Sequence, residues 1–382
     1  MGRTILIGSL QYSPIYKSHC CALGGQAESE GISVKYLFSE AYRWMLPSDI
    51  IGQTYFVGNS TGMRSSIFDG FNPSVHRALA RAFRESAPSL CYMYNFHPFL
   101  NVRLAKLAQK KGAVFIQHVQ EPYVKDKSAY KGPKQFWLTI FEQLQEMAIG
   151  HADGVVVSSQ RSLDLFNERY ASFQGEIRLI PLIYEDQGRG LEDDEIRREY
   201  ITFIGPPVPA KGPEIFLKIV ELAEGEGLDE KFLMITRVKP SDPRFLRHPN
   251  LKIFYKRELS DEEIGEHIRK SKMVITPYTV ATQSSVILTS FMYGTPALSS
   301  NVGGLPEFIE HGKSGYLLDP HAPPEKWLQG ISYISEHLDS MSHLCREQFV
   351  QHYAESNWQK YLGDLLAIPS MASNSPNKGA KS

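Results

Sequence analysis

Short apolar runs alternate with longer amphipathic stretches in the first half of the chain. Runs of strand length occupy residues 4–10, 33–38, 90–95, 113–119, 154–159 and 177–182. Stretches with the apolar spacing of helices lie between several of them, as in FLNVRLAKLAQKKG and FWLTIFEQLQEMAIGHAD. Because strands and helices alternate in this way, the pattern predicts a parallel sheet covered by helices on both faces.

The second half repeats this alternation after an acidic, polar stretch at 184–199, which we interpret as a linker. Its strand-length runs occupy residues 200–205, 231–236, 251–256, 273–278 and 296–301. Ser260, followed by three acidic residues, predicts the start of one helix between them. The chain is therefore expected to be an α/β protein of two Rossmann-like domains with parallel sheets. We expect a ligand cleft between them, at the carboxyl ends of both sheets.

The domain boundaries follow from these patterns. We predict a first domain at 1–184, a second domain at 185–352 and a further helix at 353–368. Residues 369–382 are small, polar and basic, which predicts a disordered tail.

Composition narrows the class of protein. At 382 residues the chain is too long for one ordinary core, and 42% hydrophobic with 22% charged residues is typical of a globular protein. The four cysteines form no CxxC pair, which favours reduced thiols and a cytoplasmic location. The apolar run after the N-terminus has about seven residues, too few for a membrane span.

Charge is unevenly distributed. Residues 1–180 contain 19 Lys and Arg against 14 Asp and Glu, whereas the remainder contains 22 against 28. The segment 125–137 combines four lysines with Tyr130, Phe136 and Trp137, a mixture that suits the anionic inner face of a membrane. The alternative is a solvated charged loop leading into a helix with an ordinary core face.

A Gly-Gly loop follows the last predicted strand. GTPALSSNVGGLPEFIEHGKSGYLLDP starts at Gly294 and places Gly303 and Gly304 between that strand and a predicted helix with Pro306 in its first turn. Glycines allow close approach of a ligand to the backbone, and free N–H groups at a helix start favour anions. The loop therefore suits a phosphate group.

This stretch resembles the donor-site segment of the retaining glycosyltransferases of family 4, also called group 1, which have the GT-B fold. The shared features are G-x-P, a short strand, GG-x-PE and G-x-x-G. The segment FIGPPVPAKGPEIFLKIVELA resembles the opening of the family's second domain, with Lys211 and Gly212 matching. FIQHVQEP resembles a first-domain strand ending in a histidine, here His118, and SNWQKYLGDLLAI resembles the helix that returns to the first domain.

The resemblance implies donor-binding roles for Lys211, Gly212, Thr289, Gly303, Gly304 and Glu307. Their positions add three more candidates: Ser284 and Ser285 near the start of a predicted helix, and Arg237 at the carboxyl end of a predicted strand. Lys211 and the start of the helix at 286–293 would hold the diphosphate, and Arg237 would add positive charge. Ordinary roles stay open for several of them. The serines can cap the helix, Arg237 can face solvent, and Glu307 can favour the dipole of its own helix.

On the acceptor side the resemblance implies a catalytic role for His118, which would orient hydroxyl groups or stabilise charge. Glu121 is the nearest carboxylate that could orient His118. Lys17 and His19, in the glycine-free first loop, are expected to meet the acceptor. The alternatives are a structural histidine at 118 and a surface acid at 121.

Two family carboxylates are missing. The glutamates of the E-x7-E motif correspond to Ala281 and Thr289, and the arginine of the second-domain opening corresponds to Pro206. In the family the second glutamate binds the donor ribose. A threonine hydroxyl there would retain one neutral hydrogen bond, worth roughly 0.5–1.5 kcal/mol against roughly 1.5–3 kcal/mol for a charged one.

The resemblance implies a retaining, hexosyltransferase-type enzyme that uses a nucleotide-sugar donor and a glycan or lipid-linked acceptor, in polysaccharide or glycoconjugate biosynthesis. The missing carboxylates favour the alternative of a catalytically degenerate GT-B partner or scaffold subunit. A sugar-nucleotide epimerase fits the order of motifs less well. No cofactor or metal is expected, because no DxD-type acidic pair ends a strand. No basic stripe with stacking aromatics favours nucleic acid.

Overall fold

The structure is a computed structural model that describes residues 3–123, 132–191 and 197–370, apart from the side chain of Lys134. It divides into two compact units. Unit 1 comprises Met1–Glu185 and Glu355–Ser382, and unit 2 comprises Asp186–Ala354. Most of the lysine-rich part of 125–137, and the end of the predicted tail from 371, lie outside the described residues.

Unit 1 is built on a seven-stranded parallel sheet in the order β3-β2-β1-β4-β5-β6-β7. The strands are β1 Thr4–Ser9, β2 Ser33–Phe38, β3 Thr54–Phe56, β4 Leu90–Tyr94, β5 Val114–His118, β6 Gly154–Val157 and β7 Glu176–Leu179. The helices are α1 Pro14–Ser29, α2 Ser48–Ile51, α3 Met63–Phe71, α4 Pro73–Ser86, α5 Leu100–Lys111, α6 Pro133–Ile149 and α7 Gln160–Arg169.

The central strands of unit 1 are buried along their length. In β4 all five residues are buried, and in β1 only the first is partly exposed. This matches their continuous apolar sequences, because helices cover both faces of a parallel sheet. The chain passes outward in opposite directions from β1 and β4, so their carboxyl ends form a switch point, where ligands bind in sheets of this kind.

Unit 2 repeats the plan with six parallel strands in the order β10-β9-β8-β11-β12-β13. The strands are β8 Tyr200–Ile204, β9 Lys231–Thr236, β10 Leu251–Tyr255, β11 Ser271–Thr276, β12 Ala297–Ser300 and β13 Gly315–Leu318. The helices are α8 Pro213–Gly225, α9 Asp261–Arg269, α10 Ser285–Met292, α11 Pro324–Glu336 and α12 Leu338–His352. The switch point lies between β8 and β11.

The chain then returns to unit 1 in α13 Trp358–Leu366. Trp358 is fully buried, and its ring packs edge-on against His19 of α1 with 5.1 Å between ring centroids. Together with two parallel sheets, this returning helix confirms the predicted fold class. In the described part of the chain no helix is both long enough and apolar enough to cross a bilayer.

Local signals explain where some elements begin and end. The Ser260 side chain accepts a hydrogen bond from the Glu263 backbone at 3.1 Å, and Glu263 accepts one from the Ser260 backbone at 3.0 Å, which confirms the predicted helix start. The helix expected after Gly304 is wrong, because only a short 3-10 turn forms at Leu305–Glu307. Strands β3 and β13 were not predicted. The other 3-10 turns are Glu40–Met45, Pro209–Lys211, Pro243–Leu246 and Glu355–Asn357.

Candidate functional site

Three loops of unit 2 meet at the carboxyl edge of its sheet. They comprise residues 205–212 after β8, 277–284 after β11 and 301–304 after β12, three strands that are neighbours in the sheet. The Thr279 amide donates to the Ala210 carbonyl at 3.0 Å, which ties the first loop to the second. We call these three segments the donor loops.

Two glycines allow the donor loops to approach one another. Gly212 has φ +66, and a Cβ added there would lie 1.8 Å from the Pro277 carbonyl oxygen. Gly303 has φ +56, and its Cβ would lie 1.6 Å from the carbonyl oxygen of Ala281. Any side chain at either position would push the loops apart, so both glycines shape the site whether or not they touch a ligand.

Lys211 provides a positive charge at this edge. Its Nζ donates to the Tyr278 hydroxyl at 2.8 Å and lies 4.1 Å from the centroid of the same ring. The half-buried lysine is therefore held in place by a cation–π contact rather than extended into solvent. No carboxylate neutralises its charge among the contacts of the described chain. An ammonium group held in this way suits a phosphate oxygen.

Ser284 presents a hydroxyl at the start of α10. Its side chain is buried, and its Oγ has no hydrogen-bond partner among the described residues. It does not cap α10, so the capping role left open by the sequence is absent here. A buried polar group without a partner costs roughly 1–3 kcal/mol, and an incoming acceptor atom would remove that cost. The adjoining amide groups of α10 also favour an anion.

Thr289 lies one helical turn after Ser285. Its hydroxyl donates to the Ser285 carbonyl at 2.8 Å, so its proton is used within α10. The oxygen lone pairs can still accept a hydrogen bond, as a family glutamate would, but without the charge. Thr289 is only partly buried and remains accessible to a ligand.

The remaining donor-side candidates are Gly304, which ends the third donor loop, and Arg237 and Glu307, which lie outside the donor loops. Arg237 follows β9, and its Nε donates to the Leu259 carbonyl at 3.2 Å, so the guanidinium braces the segment before α9. Gly304 is buried with an ordinary φ of −94, and Glu307 is exposed. Because no full helix follows Gly304, the helix-dipole role considered for Glu307 is wrong.

In unit 1, His118 and His19 belong to one buried hydrogen-bonded chain. Ser158 Oγ lies 2.8 Å from His118 Nε2, and His118 Nδ1 lies 2.6 Å from the Tyr92 hydroxyl. The same hydroxyl lies 2.9 Å from His19 Nε2. Tyr92 has one proton to share, so it donates to one ring and accepts from the other.

Neither histidine is exposed. Both have 0% accessible surface. Burial lowers the pKa of His19 to about 3, and burial beside His19 holds the pKa of His118 well below its ordinary value. Both rings are therefore neutral at pH 7. The sequence analysis expected both histidines to contact a substrate, but the structure buries them. A substrate would reach His118 only after the groups that cover it moved.

The other acceptor-side candidates also differ from expectation. Glu121 does not orient His118, because both His118 nitrogens bond to Tyr92 and Ser158. Glu121 instead lines a cavity of about 270 Å³ at the carboxyl edge of the first sheet. Lys17 is buried within α1 at 8% exposure.

Asn95 was missed by the sequence analysis. It follows β4, lines the same cavity and has φ +62, a value that few residues other than glycine adopt. Its backbone carbonyl accepts from Gln117 Nε2 at 2.8 Å, and its side chain donates to the Tyr16 hydroxyl at 2.8 Å. Strained backbone of this kind concentrates at functional sites. An asparagine directly after a buried strand at the switch point was the available signal.

Across 3–123, 132–191 and 197–370, no three His, Cys, Asp or Glu side chains form a group that could hold a metal ion.

Comparison with known proteins gives a family match to the part of the chain that contains the donor loops. Residues 198–337 match the family model described as glycosyl transferases group 1. A D-inositol 3-phosphate glycosyltransferase of Corynebacterium glutamicum (strain R) is 20% identical over 246 residues, which cover 59% of this chain and 58% of the relative. The corresponding enzyme of Acidothermus cellulolyticus is 23% identical over 66% of this chain and 61% of the relative. The chain thus matches less than two thirds of either relative.

Solved structures extend the similarity to nearly the whole chain. Sucrose-phosphate synthase from Thermosynechococcus elongatus aligns with a TM-score of 0.72 at 14% identity, covering 95% of this chain and 98% of that one. Anabaena HepE in complex with UDP-glucose aligns with a TM-score of 0.70 at 14% identity, covering 95% and 99%. Residues 198–337 are therefore similar to the group 1 glycosyltransferases, and the chain as a whole has the GT-B fold of these solved structures.

Proposed function

We propose that this protein is a hexosyltransferase-type glycosyltransferase that takes its sugar from a nucleotide-sugar donor and transfers it with retention. The observation that carries the proposal is the set of donor loops, which contain both the braced charge of Lys211 and the unpartnered hydroxyl of Ser284 at the start of α10. Cleavage of the bond between the anomeric carbon and the diphosphate oxygen would leave an oxocarbenium-like sugar and a nucleoside diphosphate that keeps the bonding electrons and carries three negative charges instead of two. The oxygen of an acceptor hydroxyl would form the new bond to the anomeric carbon, and its proton would pass to an oxygen of the departing diphosphate.

Each donor-side group has a distinct part in this proposal. Lys211 and the first amides of α10 stabilise charge as it develops on the departing diphosphate. The Ser284 hydroxyl donates to a diphosphate oxygen, which gives it the partner that it lacks. Thr289 accepts from a ribose hydroxyl. No step requires a protein-bound metal, because these groups supply the positive field.

The competing proposal is a degenerate GT-B partner or scaffold subunit. Ala281 cannot replace the family's sugar-facing glutamate, and His118 is covered in this structure. Against it, Thr289 retains an accepting oxygen, and the two glycines keep the loops close. Replacing a charged hydrogen bond by a neutral one costs about tenfold to a hundredfold in affinity, which weakens binding without abolishing it.

The acceptor side of the proposal rests on unit 1. We propose a glycan or lipid-linked acceptor in polysaccharide or glycoconjugate biosynthesis, met near Glu121 and Asn95 at the carboxyl edge of the first sheet. We further propose a cytoplasmic protein that works at the inner face of the membrane. Phe136, at the end of the 125–137 segment, is 62% exposed and supports contact with that surface.

Nucleotide binding provides the first test. We expect UDP or UDP-glucose, among UDP, GDP, ADP and their sugar conjugates, to raise the melting temperature, because ligand at 100 times its Kd adds about 2.7 kcal/mol of stability. UDP is tested first because HepE was solved with UDP-glucose. Lys211→Ala should weaken binding about tenfold to a hundredfold, and Lys326→Ala, which removes an exposed lysine of α11, should not. No shift with any nucleotide at millimolar concentration would favour the degenerate partner.

Ser284→Ala separates binding from stability. Since the buried Oγ has no partner in the free protein, its removal should leave the free energy of unfolding unchanged or slightly higher. Nucleotide affinity should fall about threefold to tenfold, as measured by calorimetric titration. The matched control is Ser290→Ala in the same helix, whose hydroxyl already donates to the Ile287 carbonyl at 2.8 Å. If Ser284→Ala binds nucleotide as well as wild type, Ser284 has no part in the site.

A further inference from the structure

Unit 2 contains a cavity of about 750 Å³ at the amino edge of its sheet. Arg198, Arg269 and Gly294 line it, and each lies two or three residues before a strand, β8, β11 and β12 respectively. The donor loops follow the same three strands at their opposite ends. We call this space the amino-edge cavity. Its volume falls within the range of roughly 300–1,000 Å³ that is typical of pockets for small organic ligands.

Arg198 brings a partly buried positive charge to this cavity. Its Nη1 donates to the Gly294 carbonyl at 2.9 Å and to the Thr295 hydroxyl at 3.1 Å, and its Nη2 donates to the Tyr293 carbonyl at 3.2 Å. All three acceptors are neutral. A guanidinium has five N–H groups, so two of them have no acceptor among the described residues. Arg198 therefore keeps both its charge and two donors for an incoming anion.

The other charges of the cavity do not balance Arg198. Two more arginines and two carboxylates belong to the lining: Arg269, Arg346, Asp339 and Glu347. Arg346 is already paired with Asp186 at 2.7 Å, and both lining carboxylates are exposed, where water screens their charge. Burial lowers the pKa of Arg198, the charge of Arg269 lowers it further, and Asp339 opposes them in part. An anion beside Arg198 would offset the cost of holding its charge there.

The hydroxyl of Ser342, in α12, is a second group without a partner in this cavity. Its Oγ is buried and forms no hydrogen bond with any described residue. Gly294 lies between this serine and Arg198, because a Cβ added at Gly294 would lie 3.0 Å from the Ser342 carbonyl oxygen and 3.6 Å from Arg198 Nη2. The two groups therefore converge beside Gly294. A buried polar group without a partner is costly, and an anionic oxygen would accept from both residues.

Apolar side chains form another part of the lining. They are Leu191, Met292 and Val350. Inorganic phosphate would fill only the part of the cavity beside Arg198 and leave these side chains without a contact. An anionic group joined to an apolar body would meet both parts of the lining, which is the usual composition of a small-molecule site.

We propose that the amino-edge cavity binds a small organic anion. Its carboxylate or phosphate group pairs with Arg198 and accepts a hydrogen bond from Ser342, while its apolar part packs against Met292 and Val350. The cavity and the donor loops lie at opposite edges of one sheet, so this ligand is separate from the nucleotide-sugar of the proposed function. Its binding does not depend on that function.

Calorimetric titration of the full chain with phenyl phosphate, phenylacetate and neutral benzyl alcohol tests the site. At least one anion should bind about tenfold or more tightly than benzyl alcohol, because only an anion pairs with the guanidinium. Arg198→Gln should weaken that binding about tenfold to a hundredfold. Arg197→Gln, which removes the adjacent arginine with an 87% exposed side chain, is the matched control and should not. Binding of phenyl phosphate alone would identify an organic phosphate, and binding of phenylacetate alone an organic carboxylate.

Two further variants leave the hydrogen bonds of Arg198 in place, so they test the cavity even if Arg198→Gln fails to fold. Ser342→Ala should weaken anion binding about threefold to tenfold. Its control is Ser340→Ala, at an exposed position of the same helix. Val350→Trp should narrow the cavity and weaken binding about tenfold or more. Its control is Leu344→Trp, because Leu344 is a similarly exposed residue of α12 (38% against 43%) outside the lining.

Lys211→Ala separates this cavity from the donor loops, which would also attract a phosphate group. Affinity for the anions should be unchanged in Lys211→Ala. If it fell there and persisted in Arg198→Gln, the donor loops would hold the anion and the proposal would be wrong. Failure of both anions to bind at millimolar concentration, or equally tight binding of benzyl alcohol, would overturn it as well. Anion binding that depends on Arg198, without any response to nucleotides, would retain this site while the proposed function fails.

Discussion

Lowering the pH from about 7.5 to about 5 should remove roughly 6 kcal/mol from the free energy of unfolding of unit 1. Three histidines of unit 1 are buried and neutral. Burial lowers the pKa of His19 and of His97 to about 3, and that of His118 well below its ordinary value. The unfolded chain takes up these protons near pH 6.5, whereas the folded chain does not. Stability is therefore fully present above that pH and is lost as the pH falls towards 3.

The expected slope is about 4 kcal/mol per pH unit, corresponding to three protons. Because total stabilities are roughly 5–15 kcal/mol, unit 1 should unfold in mildly acidic solution. Urea denaturation followed at several pH values measures this slope. The result would be contradicted if one proton or fewer were taken up on unfolding at about pH 5.

His97→Asn identifies one of the three protons. His97 Nδ1 accepts from the Leu100 amide at 3.2 Å near the start of α5, and the asparagine oxygen can take over that bond. The slope should fall by about one third, to two protons. His321→Asn, at an exposed position, is the control. An equal fall in slope for both variants would mean that burial of His97 is not the cause.

Replacing Gly303 by alanine should abolish nucleotide binding, with a loss of at least about a hundredfold. The added Cβ would lie 1.6 Å from the Ala281 carbonyl oxygen, and alanine would have to adopt φ +56. Strain and overlap of this kind each cost about 1–3 kcal/mol, and the loops must separate to relieve the overlap. Separation of the donor loops removes the arrangement on which the proposed function depends.

The control for Gly303→Ala is the same substitution at Gly225, at the end of α8. A Cβ added there meets nothing within 4 Å, and φ lies outside the range that favours glycine. Gly225→Ala should leave nucleotide affinity unchanged and raise stability by roughly 0.4–1 kcal/mol. Calorimetric titration and urea denaturation of the two variants measure both effects. Wild-type affinity in Gly303→Ala would show that the loop after β12 is not part of the site.

Much of the fold could be predicted from the sequence because the strands of a covered parallel sheet are continuous apolar runs. All six runs of the first half and all five of the second became strands. The two unpredicted strands lie at the edges of their sheets. β3 has three residues, and β13 has four with only one fully buried, so neither produces a long apolar run.

For the candidate site, the sequence predicted which edge of the sheet the residues lie on, but not how deeply each side chain is buried. Strand ends place Lys211, Ser284 and Gly303 at the carboxyl edge of one sheet, because parallel strands share that edge. The depth of His118 could not be predicted in the same way. It is covered by Tyr92 and by His19, and Trp358 packs on them from a helix more than two hundred residues further along the chain.

The division of unit 1 into two stretches of sequence affects the order in which the protein is made. Unit 2 is synthesised before the stretch that begins at Glu355, so its sheet can be completed while unit 1 still lacks α13. Until Trp358 arrives, the nascent first unit leaves His19 and Tyr92 uncovered. An exposed aromatic cluster of this kind favours capture by chaperones and aggregation. For the same reason, a fragment ending at Glu185 should fail to fold. Unit 2, in contrast, consists of one continuous stretch, residues 186–354.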